Sequence, residues 1–245
     1  MVMPQEPPQT SHMNCFITGT DTGVGKTAVT CGLLTALRTN GKRVAGMKPV
    51  AAGIDAAGFN EDVTALHACS MPGLAASTVS PYVFKAPTAP HIAARLENRV
   101  VEWRPLAIAY HALAAAAEVV LVEGVGGWRV PLSEDLMQAE LPRRWSLPVI
   151  LVAGIRLGAL NHTLLTVAAI KQDGCTLLGW IANVIDPVYP YAEDTITALT
   201  ARIDAPCLAR IPWSGAPTPE FMASQLTAVA IALEDRRHPL NDGDH

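Results

Sequence analysis

A chain of 245 residues, half of them hydrophobic and 16% charged, holds enough apolar side chain for one α/β domain with a substantial core and is not a disordered polymer. A net charge of −4, a sequence pI near 6.0 and basic runs no longer than Arg143-Arg144 and Arg236-Arg237 argue against a nucleic-acid partner. The cysteines Cys15, Cys31, Cys69, Cys175 and Cys207 are scattered, with no CxxC and no close Cys/His spacing, so they read as free thiols of a reducing compartment.

Taken in chain order, short apolar runs alternate with longer amphipathic ones. The polar, Pro-rich stretch from Met1 to Met13 is expected to be a flexible tail. It lacks the basic start and apolar centre of a signal peptide. Asn14–Thr18 reads as a strand. Lys26–Asn40 follows with helical spacing, Val29, Leu33, Leu34 and Leu37 sharing a face until Asn40-Gly41 ends it. Arg43–Met47 is a second strand, Asp62–Ser70 a short helix and Pro90–Glu97 another. Pro105–Glu118, rich in Ala and Leu, reads as a helix and Val119–Val122 as a strand buried on both faces. Pro148–Ala153, Leu177–Ala182 and Cys207–Ile211 are further strands, separated by helices over Ala159–Gln172 and Tyr191–Ile203. A helix over Pro219–Leu233 closes the domain, and Arg236–His245 is expected to be a second tail.

Strands that alternate with helices imply right-handed crossovers, and so a single-domain α/β fold with a mostly parallel sheet covered on both faces; the glycine-rich loop and Gly25-Lys26-Thr27 after the first strand make it P-loop NTPase-like. Ligands of such sheets sit at the carboxyl ends of the strands. No segment approaches the ~20 apolar residues of a membrane span, and a cytoplasmic protein without membrane contact is expected.

The first strand runs into Thr18-Gly19-Thr20-Asp21-Thr22-Gly23-Val24-Gly25-Lys26-Thr27 and then a helix, the context a phosphate-binding loop requires. Glycines let backbone N–H groups turn inward, and the helix start adds partial positive charge. Lys26 is placed to reach the β- and γ-phosphates of ATP, and the Thr27 hydroxyl to bind Mg²⁺. The usual pattern wants glycine where Thr20 stands; here the glycine comes one step earlier, at Gly19.

Further ligands for Mg²⁺ have to be oxygens. Glu123 closes the apolar run Val119–Val122 and precedes Gly124-Val125-Gly126-Gly127, the place of an acid at the end of a buried strand beside backbone that approaches a ligand. Asp62, at a helix start, reads by itself as an N-cap. Lys48 follows the second strand in Met47-Lys48-Pro49-Val50, where a lysine suggests an anion nearby. His91 and His162 read as hydrogen-bonded structural groups, and Trp128, Trp180 and Trp213 as packing residues, with Trp213 able to border a base.

Several segments in one order, spanning roughly residues 14 to 215, resemble dethiobiotin synthetases. They are Thr18-Gly19-Thr20-Asp21-Thr22 with Val24-Gly25-Lys26-Thr27, Gly46 with Lys48-Pro49-Val50-Ala51, Pro87-Thr88 with Pro90-His91, and Val122-Glu123-Gly124 with Gly126-Gly127-Trp128. Leu147–Val152, Leu157-Gly158 with Asn161-His162, Gly179-Trp180 with Ala182-Asn183, and Ile211-Pro212-Trp213 follow. The resemblance implies an ATP- and Mg²⁺-dependent carboxylation of 7,8-diaminopelargonate by CO₂ or bicarbonate, and ring closure to dethiobiotin through a carbamate and a carbamic–phosphoric anhydride. It implies that Gly23, Val24, Gly25, Lys26, Thr27 and Ala28 cradle phosphates, with Gly124, Val125 and Gly126 close by. Thr27, Asp62 and Glu123 would hold Mg²⁺, and Lys48 and Lys26 would be the catalytic lysines. Asn183, Val184, Pro212, Trp213 and Ser214 would receive the adenine. Thr22, Lys48, Ala52, Gly126, Gly127 and Asn161 would line the substrate, Asn161 across a homodimer interface.

Four positions depart from the family pattern. Ala52 stands in place of a serine, Gly23 of a glutamate, Arg156 of a lysine and Asp194 of a tyrosine whose part Tyr189 or Tyr191 would take. Three rival readings follow from the same residues. A regulatory ATPase switch of the ParA/MinD kind would want a lysine where Asp21 stands and a basic amphipathic C-terminal helix. An amide-forming synthetase of the cobyrinate type would need a further domain for glutamine hydrolysis. A catalytically degenerate nucleotide-binding homologue would not need Lys26, Thr27, Lys48, Asp62 and Glu123 intact.

Overall fold

The computed structural model describes residues 14–235; both expected tails lie outside the described residues. Six parallel strands form the main sheet: β1 (Cys15–Gly19), β2 (Val44–Met47), β5 (Val119–Glu123), β6 (Val149–Ile155), β7 (Leu177–Val184) and β8 (Cys207–Ile211). Their order is β2-β5-β1-β6-β7-β8, so β1 lies between β5 and β6 and the chain leaves it toward β2 on one side and reaches β7 and β8 on the other. That reversal opens a crevice at the carboxyl end of β1, where ligands of doubly wound sheets bind.

Side chains alternate between two cores. Phe16, Val120, Val122, Leu151 and Ala153 face one layer, which includes α5 (Trp103–Ala116) and α8 (Ala192–Thr200). Cys15, Ile17, Val119, Leu121, Ile150 and Val152 face the other, with α1 (Lys26–Thr39), α2 (Glu61–Cys69) and α9 (Pro219–Asp235). Strands buried on both sides explain why their sequences read as continuous apolar runs. The helix α7 (Ala159–Gln172) also covers the first of these faces through Val167 and Ile170.

Periodicity did not disclose a second, two-stranded parallel sheet of β3 (Val50–Ala52) and β4 (Tyr82–Phe84). Each of its strands has three residues, too few for an alternation to show. The short helices α3 (Ala76–Val79) and α6 (Glu140–Arg144) escape for the same reason, whereas α4 (Pro90–Leu96) is announced by Pro90 at its first turn. Among the described residues no helix is long and apolar enough to cross a membrane. Among the described residues no disulfide joins the cysteines, of which three are buried and two half-buried.

Candidate active site

The loop after β1 folds back over its own strand. Gly23 and Gly25 adopt positive φ (74° and 89°), a backbone state open to glycine, and Gly25 caps α1 in that conformation. The displaced glycine has a local cause. A Cβ on Gly19 would stand 2.6 Å from the Val24 side chain, so the strand's last residue must be bare for the loop to close. Lys26 Nζ donates to the Asp21 carbonyl at 2.8 Å, and Asp21 Oδ1 accepts from the Thr22 amide at 2.7 Å.

Strand register assembles the charged residues. Val44 to Met47 of β2 pair with Val119 to Val122 of β5, so one step further Lys48 comes opposite Glu123. Both continue the alternation on the side where α1 and α2 pack. α2 begins under Asn60, whose Oδ1 accepts from the Val63 amide at 3.1 Å and whose Nδ2 donates to the Gly53 carbonyl at 2.6 Å. The cap is therefore Asn60 and not Asp62, which leaves the Asp62 carboxylate free to turn inward.

The result is a compact cluster. Lys48 Nζ donates to Glu123 Oε1 at 2.6 Å and to Asp62 Oδ2 at 2.7 Å. Thr27 Oγ1 lies 2.7 Å from Asp62 Oδ1 and 2.8 Å from Glu123 Oε1. Glu123 is 0% and Lys48 2% exposed. Burial works against the charge on Lys48, but Glu123 and Asp62 together outweigh it and hold the ammonium above its usual range. Burial likewise opposes the Asp62 carboxylate, and Lys48 and Thr27 reverse the effect and lower it. Lys26 meets the Asp21 carbonyl but no carboxylate among the described residues. Burial first, then repulsion from Lys48, brings it down to about 8.

These oxygens fit a divalent cation. Thr27, Asp62 and Glu123 are hard donors, and Glu123 Oε2 is buried with no hydrogen bond among the described residues. Two carboxylates against one ammonium leave a net −1 facing the phosphate loop. Among the described residues no group of three or more His, Cys, Asp or Glu side chains is placed to hold a metal alone.

Beside the phosphate loop lies a cavity of about 220 Å³. Gly23, Gly25, Ala28, Asn183, Val184, Pro212, Trp213 and Ser214 line it, all of them residues marked by the sequence. Asn183 Nδ2 donates to the Val24 carbonyl at 2.9 Å and stands where a Cβ on Gly25 would go, so it ties the end of β7 to the loop. Trp213 is 47% exposed at the rim, whereas Trp128 and Trp180 are buried in the core. The sequence reading missed Ile185, Ile211, Pro217, Phe221 and Met222 in the wall of this cavity. They come from the end of β7, from β8 and from the start of α9, and only the closing of the sheet edge brings them together.

The Gly124–Gly127 loop lies on the other side of the phosphate loop. Gly124 N donates to the Ile17 carbonyl at 2.9 Å. A Cβ on Gly126, whose φ is 62°, would come within 3.7 Å of Thr22 Oγ1, and one on Gly127 within 3.6 Å of the Thr20 carbonyl. Thr22, Gly126 and Gly127 are thus neighbours. Ala52 ends β3, half-buried. Asn161 is exposed on the first turn of α7, and no hydrogen bond among the described residues joins it to the Lys48 cluster.

The remaining departures find local partners. Arg156 pairs with Asp21 at 3.1 Å. Asp194 is exposed in the first turn of α8, where a negative charge suits the helix start. The Tyr189 hydroxyl is engaged with Thr195 Oγ1 at 2.9 Å, while Tyr191 is 62% exposed. His91 lies 3.3 Å from the Pro131 carbonyl, as expected of a hydrogen-bonded group, and His162 is exposed on α7.

Known proteins agree with this architecture. Among solved structures the chain is similar to the MinC:MinD cell division protein complex of Aquifex aeolicus, with a TM-score of 0.56 over 94% of this chain and 98% of that one; at 12% identity this shows the fold alone. A family model described as an AAA domain matches residues 13–220. The ATP-dependent dethiobiotin synthetase BioD of Xanthomonas oryzae pv. oryzae is 49% identical over 81% of this chain and 90% of its own length. The protein of the same name from Aromatoleum aromaticum is 49% identical over 86% of this chain and 95% of its own. With close to half its residues shared over most of both chains, and its phosphate loop and charged cluster built as described, this protein belongs to the ATP-dependent dethiobiotin synthetase family.

Proposed function

We propose that this chain joins CO₂, drawn from dissolved bicarbonate, to 7,8-diaminopelargonate and closes the ureido ring of dethiobiotin, consuming ATP with Mg²⁺ and releasing ADP and phosphate. The observation that carries this reading is the convergence of Lys48, Asp62, Glu123 and Thr27 on one point beside the phosphate loop, with two of the four fully buried.

One amine takes up CO₂ and loses a proton to become a carbamate. A carbamate oxygen attacks the γ-phosphorus and ADP leaves. The second amine attacks the carbonyl of the mixed anhydride and gives up a proton as phosphate departs and the ring closes. Anions meet anions at each stage, so positioning and charge stabilisation dominate. The ammonium of Lys48, kept protonated by its two carboxylates, faces the carbamate and the γ-phosphoryl group; Lys26 faces the β- and γ-phosphates. Thr27, Asp62 and Glu123 would hold Mg²⁺, which when bound supplies positive charge beside the phosphates. Asn183 and the cavity wall receive the adenine, Thr22 and the Gly124–Gly127 loop the diamine. Asn161 of one protomer would approach the substrate carboxylate of another in a homodimer, with Tyr191 taking the part that Asp194 cannot.

The test is phosphate release from ATP, Mg²⁺ and bicarbonate, with and without 7,8-diaminopelargonate, with the product mass recorded. Release that requires the diamine and yields the mass of dethiobiotin is expected. Release indifferent to the diamine would point to a switch ATPase, and none at all to a degenerate homologue.

A further inference from the structure

Between β5 and β6 the chain makes a long excursion, residues 124–148, most of which carries none of the chemistry assigned above. Its side chains Leu132, Leu136 and Leu141 are sunk in the core, and Pro131 and Met137 form an isolated antiparallel bridge that closes the excursion on itself. Within it stands Gln138, 1% exposed, the one buried amide side chain among the described residues.

A buried amide needs partners for both ends, and Gln138 finds both in one short segment. Its Oε1 accepts from the Val125 amide at 2.6 Å, and its Nε2 donates to the Gly127 carbonyl at 2.6 Å. The side chain thus pairs with residues 125 and 127 as a neighbouring strand would. Gln138 is held in turn by its own backbone, its amide donating to the Val130 carbonyl at 2.9 Å and its carbonyl accepting from Leu141 at 2.9 Å. The approach is close: a Cβ on Gly124 would meet the Gln138 amide group at 2.8 to 3.0 Å, so the bare residue at 124 and the glutamine at 138 require each other. On its far side the clamped segment touches Thr20 and Thr22 of the phosphate loop.

We propose that Gln138 is a positioning residue, a clamp that fixes the 124–127 backbone at the spacing the diamine and its carbamate need against Thr22. The inference rests on the function proposed above, because it assigns the loop to the diamine and not to the nucleotide. Gln138 touches neither substrate, and its effect passes through Val125 and Gly127. Neither residue lines the cavity assigned to the adenine, and the inference gives the 124–127 backbone to the diamine and not to the phosphates, so ATP affinity is the control.

Two variants separate the clamp from a merely structural side chain. Gln138→Met keeps length and burial but removes both hydrogen bonds. It is expected to raise the KM for 7,8-diaminopelargonate about tenfold while the Kd for ATP stays within about twofold. Gln138→Glu keeps the acceptor for Val125 and loses the donor to Gly127 while ionised; protonated, it regains that donor. The ratio of its KM to that of the native enzyme should therefore shrink as pH falls, a ratio in which protonation of the substrate amines cancels. In both variants, amide hydrogen exchange of the 123–128 segment should speed up more than that of β1 or β7.

An unchanged diamine KM, or a loss of ATP affinity in parallel with it, would overturn the proposal. So would a Gln138→Glu ratio that does not move with pH. Should Gln138→Met fail to fold, Gln138→Glu carries the test alone. If native enzyme does not turn over the diamine, the functional reading fails, and amide exchange still decides whether Gln138 clamps the loop.

Discussion

At the scale of single residues the site is governed by two lysines in opposite electrostatic settings. Lys48 is buried against two carboxylates and stays charged, and its removal would leave Glu123 buried with a charge unmatched. Lys48→Ala is expected to lower turnover by about 10²–10³-fold while the Kd for ATP changes little. Undiminished dethiobiotin formation in that variant would remove Lys48 from the chemistry. Lys26, brought down to about 8 by burial and by Lys48, is partly neutral near that pH. Its folded value lies below the unfolded 10.5, so its contribution to stability is least at low pH and grows as pH rises between about 8 and 10.5. Bound phosphates reverse the balance and favour the ammonium. Calorimetry of ATP binding at pH about 8 in two buffers of different ionisation enthalpy should therefore show proton uptake. Binding heats independent of the buffer would contradict this account of Lys26.

At the scale of elements, α1 and α9 meet more closely than ordinary helices. A Cβ on Gly32 would fall 2.5 Å from Met222 Cβ and 2.9 Å from Met222 backbone carbon. Alanine for glycine inside a helix gains about 1 kcal/mol of propensity. Overpacking against backbone, which cannot turn aside, costs about 1–3 kcal/mol and wins. Gly32→Ala should therefore lower the melting temperature, and a rise would show that α9 shifts freely. Since Met222 and Phe221 of α9 also line the nucleotide cavity, this packing sets the cavity's far wall. The same scale shows what periodicity can report. Ala159–Gln172 and Cys207–Ile211 were read to the residue, the first because a helix of fourteen residues repeats its apolar face. β3 and β4 were not read at all, because three residues give no period.

At the scale of the whole molecule, large apolar side chains remain exposed at the carboxyl ends of β6 and β7. Leu157 is 81%, Leu160 40%, Val188 82% and Tyr191 62% exposed, all near the first turn of α7 that carries Asn161 or the first turn of α8. A surface of this kind is expected to be covered by a second copy of the chain. Sedimentation equilibrium should give a dimer, and Leu157→Asp or Val188→Asp a monomer with weakened diamine binding. A native monomer at micromolar concentration would separate Asn161 from the substrate site.

By itself the sequence determined the fold class, the phosphate loop and the residue types of the cluster. The first rests on period, the second on glycine and lysine at fixed spacing, and the third on charge at the ends of apolar strands, where charge is costly without a use. Asp62 read by itself as a helix cap, and the resemblance alone set it beside Thr27 and Glu123; the tertiary structure gave that cap to Asn60 and turned Asp62 toward Lys48. Register, a relation between segments 75 residues apart, set Lys48 opposite Glu123. Gln138 was invisible because a glutamine in an aperiodic excursion has no local signal, and its meaning lies in the two backbone atoms it meets across a fold. What repeats along the chain could be read from the chain; what depends on contact between distant segments was decided by the packing that buries them.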